Sequence, residues 1–364
     1  MNNYTMFIAH EDPDKSNVCR TMFYDIACAL SQQGRKAVFF SGCATKIRES
    51  KGNLTNYIFL KRTHGSFSAR DLLQMVLRIG LVFKLMLRSK NVVVRSYPSM
   101  IIYGWMAFVL RKDVFFDTRG LFFDELLESG KLNPKFGKIA FALEKYLLRI
   151  STAVICVSDA QAREYKRRMG RIASEKYLVV HNGSSNSKKV DLESDKKALS
   201  IGYVGSLSAW HSPMLMRSVV QELAKVRPLD LFIFTPDISR AEELFSGLGI
   251  NVTIEKREFR KDPVRFSYGL CLITGGISKT ICFPVKAVEY LQAGCRLVGS
   301  DNVVVLREIV ETTGAGVLVS LSDNGQMIAQ KILSDFELNF GSEIIVPIEY
   351  SFEYQVQRFK EILN

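Results

Sequence analysis

Short apolar runs alternate with amphipathic segments along the start of the chain. Residues 4–9 form the first apolar run, and the polar loop HEDPDKSN follows it. Residues 18–33 have helical periodicity and end at Gly34, and residues 36–42 form a second apolar run. A strand, a helix, a glycine stop and a further strand make a βαβ unit, so the pattern predicts a parallel, doubly wound sheet.

The same alternation continues to residue 183. Helices are predicted at residues 71–90 and 135–149 and from Asp159 onward. Strands are predicted at residues 91–96, at the start of residues 114–125, and at residues 152–158 and 177–183. Ser158 is predicted to cap the helix that begins at Asp159, because a serine hydroxyl there accepts a hydrogen bond from the first turn.

Residues 184–198, SSNSKKVDLESDKKA, are polar and charged and contain no aromatic residue, which is typical of a linker. A strand, a glycine loop and a helix then begin again. A further strand is predicted at residues 230–236, and a terminal helix at residues 351–364. The predicted domain organisation is a first domain, a linker, a second domain and a C-terminal helix, at residues 1–185, 186–198, 199–345 and 346–364.

Composition and charge narrow the class of protein. The 364 residues are enough for about two domains of ~100–200 residues. The formal net charge of +12 favours acidic partners such as phosphates and anionic lipid. The sequence has no zinc-finger spacing and no RNA-binding motif, so nucleic acid is not an expected partner. Seven singly scattered cysteines favour a reduced, cytoplasmic interior, and the apolar run near residues 101–110 is too short to span a bilayer.

Residues 283–300, FPVKAVEYLQAGCRLVGS, predict a short helix, a glycine stop and a buried strand. Pro284 is expected in the first turn and Gly294 in the left-handed turn after the helix. Lys286 lies near the helix N-terminus, which is a natural phosphate site, and Glu289 lies one turn further, where its oxygens could accept from sugar hydroxyls. The alternative is an ordinary amphipathic surface helix with a solvated Lys/Glu pair.

Residues 114–125, VFFDTRGLFFDE, lead from a buried strand into a loop that carries four charged residues. The carboxyl end of a strand in an open α/β sheet is the usual place for ligands. The Arg119 guanidinium could hold a phosphate or sugar oxygen, but it cannot act as a base at neutral pH. The alternative is that Asp117 and Arg119 form a structural pair that braces the loop. The four loop residues are Asp117, Arg119, Asp124 and Glu125.

Three stretches together resemble the donor half of GT-B glycosyltransferases: residues 201–212, IGYVGSLSAWHS; residues 284–294, PVKAVEYLQAG; and residues 300–320. The resemblance is to the large retaining group, family 4-like, that includes sucrose synthase and many bacterial cell-surface transferases. VFFDTRGLFFDE resembles a D-x-R-G-x-x-x-D-E block of one branch. This resemblance implies an α/β, GT-B fold with two Rossmann-like, doubly wound domains facing a central cleft.

The resemblance also assigns expected roles. The first domain is the acceptor side, the second binds the nucleotide-sugar donor, and the C-terminal helix packs back on the first domain. Arg119 stands where many relatives have a histidine that faces the sugar. Of the two glutamates typical of the family, Glu289 matches the second and Ile281 replaces the first. The residues expected to act in catalysis are Arg119, Asp117 and Lys286, and those expected to bind the donor are Gly205, Ser206, His211, Lys286, Glu289 and Asn182.

Two loops depart from the pattern of relatives. Ser206 and His211 stand where relatives commonly have an arginine and a lysine that grip the donor diphosphate. Ser16 and Asn17 stand where relatives often have paired glycines. Lys286 and the N–H groups of its helix are therefore expected to take more of the diphosphate charge.

The expected reaction moves a sugar from a nucleotide-diphosphate sugar to a hydroxyl acceptor with retention, without a metal ion and without a cofactor besides the donor substrate. A lipid-linked or cell-surface glycan precursor is the expected acceptor. Residues 71–90 predict either a sheet-covering helix whose basic residues lie in water, or a basic, apolar face that rests on the anionic inner face of the membrane from the cytoplasm. Two alternatives come from other classes: a non-catalytic glycosyltransferase homologue that acts as a scaffold, and a UDP-sugar epimerase of the same fold.

Overall fold

The computed structural model divides the chain into two compact units. The first contains Met1–Asn182 and Glu353–Asn364, and the second contains Gly183–Phe352. The structure describes residues 4–11, 13, 19–41, 54–58, 73, 75–170, 174–184, 199–260, 262–339 and 341–364. The predicted linker, residues 186–198, lies outside the described residues, as do Ser16 and Asn17 of the first loop.

The first unit is built on a seven-stranded sheet in which neighbouring strands are parallel, in the order β3-β2-β1-β4-β5-β6-β7. Its core strands are almost fully buried, as expected where helices cover both faces of such a sheet. The strands are β1 Tyr4–Ala9, β2 Ala37–Ser41, β3 Leu54–Ile58, β4 Ser89–Arg95, β5 Asp113–Asp117, β6 Ala153–Cys156 and β7 Tyr177–Val179. The predicted α/β class and the parallel sheet are confirmed.

Helices connect these strands. They are α1 Asp25–Gln32, which continues a π-helical turn at Arg20–Tyr24; α2 Ile79–Arg88; α3, made of the consecutive segments Tyr97–Ser99, Met100–Gly104 and Trp105–Val109; α4 Phe122–Glu128; α5 Gly137–Ile150; and α6 Asp159–Met169. The predicted cap of α6 is confirmed, because the Ser158 Oγ accepts a hydrogen bond from the Gln161 N–H at 3.1 Å.

The predicted helix at residues 71–90 is wrong at its C-terminal end. The helix stops at Arg88, and Ser89 has extended backbone angles and opens β4, so that Lys90 belongs to a strand. Ser89 pairs with Tyr4 of β1, which gives this backbone a sheet partner that a further helical turn could not provide.

The C-terminal helix α13, Phe352–Ile362, belongs to the first unit from Glu353 onward. The carbonyl oxygen of Leu363 accepts hydrogen bonds from Asn91 Nδ2 at 2.9 Å and from Arg35 Nη1 at 3.0 Å. Phe359 and Leu363 are buried. Both apolar contact and hydrogen bonds thus fasten the end of the chain to the sheet of the first unit.

The second unit has a six-stranded parallel sheet in the order β10-β9-β8-β11-β12-β13. Its strands are β8 Leu199–Val204, β9 Leu229–Phe234, β10 Asn251–Glu255, β11 Tyr268–Cys271, β12 Arg296–Ser300 and β13 Gly316–Val319. Its helices are α7 Pro213–Val226, α8 Ile238–Phe245, α9 Ile277–Thr280, α10 Val285–Gln292, α11 Val304–Thr313 and α12 Gly325–Asn339.

Each sheet has one point where the strand order reverses. In the first unit this switch point lies between β1 and β4, and in the second it lies between β8 and β11. Loops leave the two strands of a switch point in opposite directions and open a crevice at their carboxyl ends, which is where ligands bind in this kind of sheet. The residues that follow these four strands are therefore the first candidates for a functional site.

Candidate functional site

Helix α10 begins beside the switch point of the second unit. Pro284 lies one residue before the helix, not in its first turn as predicted, because its backbone is extended (ψ 97°) and its carbonyl accepts the Ala287 N–H at 3.0 Å. Gly294 has φ 78° and ends the helix in the left-handed region, as predicted. Strand β12 follows, so the predicted helix, glycine stop and buried strand are confirmed.

The ammonium group of Lys286, in the first turn of α10, is held by two aromatic side chains. Its Nζ lies 4.4 Å from the ring centroid of Tyr203, 3.4 Å from the Tyr203 hydroxyl and 3.4 Å from each ring nitrogen of His211. Among the described residues, no carboxylate forms an ion pair with this lysine. Burial lowers the pKa of Lys286 to about 8, against small opposing effects of Cys271 and Glu289.

His211 is a buried, neutral histidine. Burial, together with the positive charges of Lys286 and Lys279, lowers its pKa to about 2. Its ring centroid lies 3.7 Å from that of Trp210. A neutral imidazole can accept a hydrogen bond from the ammonium group of Lys286, so His211 orients this cation without adding charge.

Gly205 follows β8 and leaves room for Lys286. Its φ of 126° is a conformation that favours glycine, and a Cβ at this position would lie 3.1 Å from the Lys286 Nζ. The backbone N–H of Gly205 donates to the Phe234 carbonyl at 2.9 Å, which fixes the loop to β9. The structure thus brings together four of the predicted donor-binding residues: Gly205, Ser206, His211 and Lys286.

Glu289 lies one turn after Lys286 on α10 and is partly exposed. Burial raises its pKa, and the positive charges of Arg260 and Lys286 oppose that rise. Ile281, which occupies the place of the first family glutamate, is buried with 5% of its surface exposed. Glu289, which matches the second family glutamate, is therefore close enough to Arg260 and Lys286 to feel their positive charges.

A second cluster lies at the carboxyl edge of the first unit's sheet. Asp117, at the end of β5, is fully buried, and its two oxygens lie 3.4 Å from Arg95 Nη1 and 3.7 Å from Arg119 Nη1. Arg95 Nε also donates to Glu11 at 3.1 Å. Glu11 follows β1, Arg95 ends β4, and Asp117 ends β5. The cluster therefore lies at the switch point between β1 and β4 and extends to the neighbouring strand β5.

The charges of this cluster depend on one another. Burial acts to raise the pKa of Glu11, but Arg95 and then His10 outweigh it, and the pKa is lowered. Burial and the neighbouring charge of Arg95 lower the pKa of Arg119 to about 10. Arg119 has φ 63°, a strained conformation for an arginine that costs on the order of 1–3 kcal/mol and is frequent at functional sites.

The predicted loop placement of Asp124 and Glu125 is wrong, because both lie in the first turn of α4. Asp124 binds Arg168 of α6 through both oxygens, at 2.7 and 2.8 Å. Arg168 also contacts Glu144 and Glu164 at 3.1 and 2.7 Å. This ion cluster joins α4, α5 and α6, so the second half of the D-x-R-G-x-x-x-D-E block has a structural partner in Arg168.

Asn182 is the last residue of the first unit before Gly183 and is 4% exposed. Its Oδ1 has no hydrogen-bond partner among the residues that the structure describes. A buried amide oxygen without a partner is uncommon in folded proteins. Asn182 thus has a buried acceptor atom available at the point where the chain leaves the first unit.

Sequence reasoning missed several members of both clusters. His10 and Glu11 open the HEDPDKSN loop directly after β1, and Arg95 ends the apolar run NVVVR, so each was marked by its place at a strand end. Tyr203 gave a weaker signal, because an aromatic residue inside a strand is ordinarily a core residue. The partners of Lys286 come from strand β8 and the loop after it, both distant in sequence, and only the fold brings them together.

Solved glycosyltransferases share the fold of the whole chain. HepE from Anabaena, solved with UDP and glucose, has a TM-score of 0.69 at 16% identity over 99% of both chains. Sucrose-phosphate synthase from Thermosynechococcus elongatus has a TM-score of 0.67 at 15% identity, over 100% of this chain and 95% of its own. The catalytic domain of starch synthase IV from Arabidopsis thaliana, solved with ADP and acarbose, has a TM-score of 0.69 at 11% identity, over 100% and 99%.

No protein-family model matches the sequence, and no curated protein matches it. Sequence identities of 11–16% to the solved structures show the fold alone. The chain has the GT-B fold, with two Rossmann-like units, as the sequence predicted.

Proposed function

We propose that this protein is a retaining glycosyltransferase that moves a sugar from a nucleotide-diphosphate sugar to a hydroxyl acceptor. The observation that carries the proposal is the ammonium group of Lys286, which stands at a helix N-terminus at a switch point and has no carboxylate partner among the described residues. Burial of an unpaired cation is unfavourable, and an anionic ligand would compensate it. The solved relatives with UDP and with ADP support a nucleotide ligand.

In the proposed mechanism the second unit stabilises the leaving diphosphate. Lys286 and the N–H groups of the first turn of α10 supply preorganised positive charge where negative charge develops. Gly205 lets the backbone approach the phosphates, Ser206 and His211 line the same loop, and Glu289 accepts hydrogen bonds from the ribose hydroxyls.

The first unit supplies a second set of polar groups. Arg119, which keeps 17% of its side chain exposed, is proposed to bind a phosphate or sugar oxygen. Asp117 is fully buried between two arginines and therefore acts as a positioning residue, which does not itself touch the substrate. Asn182 is proposed to offer its Oδ1 to a donor hydroxyl. A double displacement would need two carboxylates close together, and this scheme contains no such pair. We therefore propose that the diphosphate leaves and the acceptor hydroxyl attacks on the same face of the sugar.

The donor class is tested by a thermal-shift screen with UDP, GDP, ADP, CMP and their sugar conjugates. A ligand that binds only the folded state raises the melting temperature, because it stabilises that state by RT ln(1 + [L]/Kd). We expect one nucleotide diphosphate and its sugar conjugate to shift the wild-type protein. A flat response across the whole panel would contradict the proposal, and binding without turnover in a later assay would favour the non-catalytic homologue.

We also propose that the first unit rests on anionic lipid and takes a lipid-linked or cell-surface glycan precursor as acceptor. The segment of residues 75–88, which contains α2, lies beside α3 and the turn after it, because the Tyr103 hydroxyl donates to the Met75 carbonyl at 2.9 Å and Lys112 Nζ donates to the Leu87 carbonyl at 3.3 Å. Residues 75–88 and α3 expose large apolar side chains, between 38% and 69% of each: Leu77, Phe83, Leu87, Ile101, Trp105, Phe108 and Val109.

Basic residues lie in the same two segments or shortly after them in the chain. Lys84, Arg88, Lys90 and Arg111 are all exposed. Exposed apolar groups together with basic groups are what an anionic membrane surface binds. Among the described residues, no helix is long and apolar enough to cross a bilayer. The combination favours binding to the surface of a membrane by this face.

Lipid binding is tested by sedimentation with vesicles of anionic and of neutral lipid. Each basic residue near an anionic surface contributes about 1 kcal/mol, so Lys84→Glu/Arg88→Glu should weaken binding to anionic vesicles by tenfold or more. Phe83→Ser/Leu87→Ser should weaken it similarly through lost apolar burial. Lys225→Glu, a charge reversal on the second unit, is the matched control and should bind like wild type. Equal sedimentation of all variants would rule out this face.

A further inference from the structure

Two loops of the second unit meet at its switch point. One follows β8 and carries Trp210, and the other follows β11 and leads into α9, which carries Lys279. The backbone N–H of Thr274 in the second loop donates to the carbonyl of Trp210 in the first at 2.8 Å. Since β8 and β11 are the neighbouring strands where the order reverses, this hydrogen bond joins the two walls of one crevice.

A series of contacts brings a second lysine to this crevice. The Nζ of Lys279 lies 4.4 Å from the ring centroid of Trp210. The Trp210 ring lies 3.7 Å from the ring of His211, whose nitrogens lie 3.4 Å from the Nζ of Lys286. Two ammonium groups therefore flank one tryptophan–histidine pair, and each contacts one of the two rings.

The charges of both lysines act on the same histidine. After burial, Lys286 and then Lys279 are the causes that lower the pKa of His211. A neutral histidine between two cations leaves the crevice with positive charge that His211 does not cancel. A ligand with two adjacent negative groups would be attracted by both lysines.

Trp210 gives Lys279 a defined position. An ammonium group over an indole face is attracted by the negative charge at the face of the ring. Trp210 itself is 37% exposed, so it lies at the mouth of the crevice and not in the core. The contact restricts the long lysine side chain before a ligand arrives, which lowers the entropy lost on binding.

We propose that Lys279 is a second diphosphate-binding residue, held in place by Trp210, and that Lys279 and Lys286 each bind one phosphate of the donor. This inference rests on the proposed function, since it adds a residue to the same nucleotide-sugar site. It also accounts for the loop after β8, in which Ser206 and His211 carry no charge that could grip a diphosphate: the cations come from α9 and α10 instead.

The test is calorimetric titration of the full chain with the nucleoside diphosphate found in the thermal-shift screen and with the corresponding nucleoside monophosphate. Lys279→Met keeps the aliphatic stem and removes the charge, and it should weaken diphosphate binding about tenfold, as expected for one charged hydrogen bond. Monophosphate binding should change much less, because Lys286 alone serves a single phosphate. Lys279→Arg should restore diphosphate binding, and Trp210→Leu should weaken it to an intermediate degree.

Lys225→Met is the matched control, since it removes a lysine charge near the end of α7, away from the crevice, and it should bind like wild type. Wild-type diphosphate affinity in Lys279→Met would overturn the assignment of Lys279 while leaving the proposed function in place. An equal loss for diphosphate and monophosphate would overturn the assignment of one phosphate to each lysine. Absence of nucleotide binding by the wild-type protein would overturn both the inference and the proposed function.

Discussion

Lys286→Met is expected to stabilise the ligand-free protein by about 2–3 kcal/mol near neutral pH and to weaken nucleotide-diphosphate binding about a hundredfold. The lysine pKa falls from 10.5 to about 8 in the folded protein, chiefly through burial. The charged form of Lys286 is therefore less favourable in the folded protein than in the unfolded chain. Methionine removes this unfavourable charge and keeps an unbranched side chain. A residue that destabilises the free protein and binds the ligand is the pattern of a functional site.

The pH dependence follows from the direction of that shift. Because the folded pKa of Lys286 is lowered, the unfolded chain binds more protons between about pH 8 and 10.5, and wild-type stability rises with pH in this window. The Lys286→Met variant lacks this rise. Binding of an anion requires the charged lysine, so wild-type affinity for the nucleotide sugar should fall as pH rises above about 8.

Urea unfolding at about pH 7 and about pH 9.5, with Lys225→Met as the control, measures the stability effect. Calorimetric titration with the nucleotide sugar at the same two pH values measures the affinity. A Lys286→Met variant that is less stable than wild type and binds the donor normally would show that Lys286 is a structural residue.

Asp117→Ala is expected to destabilise the protein by about 3–5 kcal/mol, because it leaves Arg95 and Arg119 buried beside each other and removes a carboxylate that compensates both. Asp117→Asn should cost less, since the amide keeps the volume and one acceptor oxygen. Asp113→Ala is the matched control: it lies at the exposed start of the same strand and should change stability by less than about 0.5 kcal/mol.

A double-mutant cycle measures the interaction between Asp117 and Arg119 separately from the effect of altering strand β5. If Asp117 compensates Arg119, then Asp117→Ala/Arg119→Met should lose less stability than the sum of the two single variants. Urea unfolding of the four proteins gives the coupling energy. A loss below about 1 kcal/mol for Asp117→Ala, or strict additivity with Arg119→Met, would contradict the positioning role.

The sequence predicted most of the fold because parallel strands covered on both faces are continuous apolar runs. Tyr4–Ala9 and Arg296–Ser300 appear in the structure where those runs lie. The predicted helix at residues 71–90 extends two residues beyond the observed end at Arg88, because its apolar pattern continues to Leu87. The end of the helix is fixed instead by the pairing of Ser89 with Tyr4, eighty-five residues away in sequence. Periodicity contains no information about such a partner.

The candidate site could be predicted only in part for a similar reason. Lys286 was visible from its place near Pro284, since a local signal marks a helix start. Asp124 was misplaced, because its partner Arg168 lies on another helix and its charge gave no sign of it. The placement of Tyr203 and His211 around Lys286 likewise depends on how α10 packs beside β8 and the loop that follows it.

The measurement that tests the central claim most directly is release of the nucleoside diphosphate from its sugar conjugate. It compares wild type with Lys286→Met, with and without a lipid extract of the expressing cells as a source of acceptor. The account predicts release by the wild-type protein, faster with the extract, and at least a hundredfold slower release by Lys286→Met. No release by a wild-type protein that binds the donor would contradict the transferase and leave a nucleotide-sugar-binding scaffold.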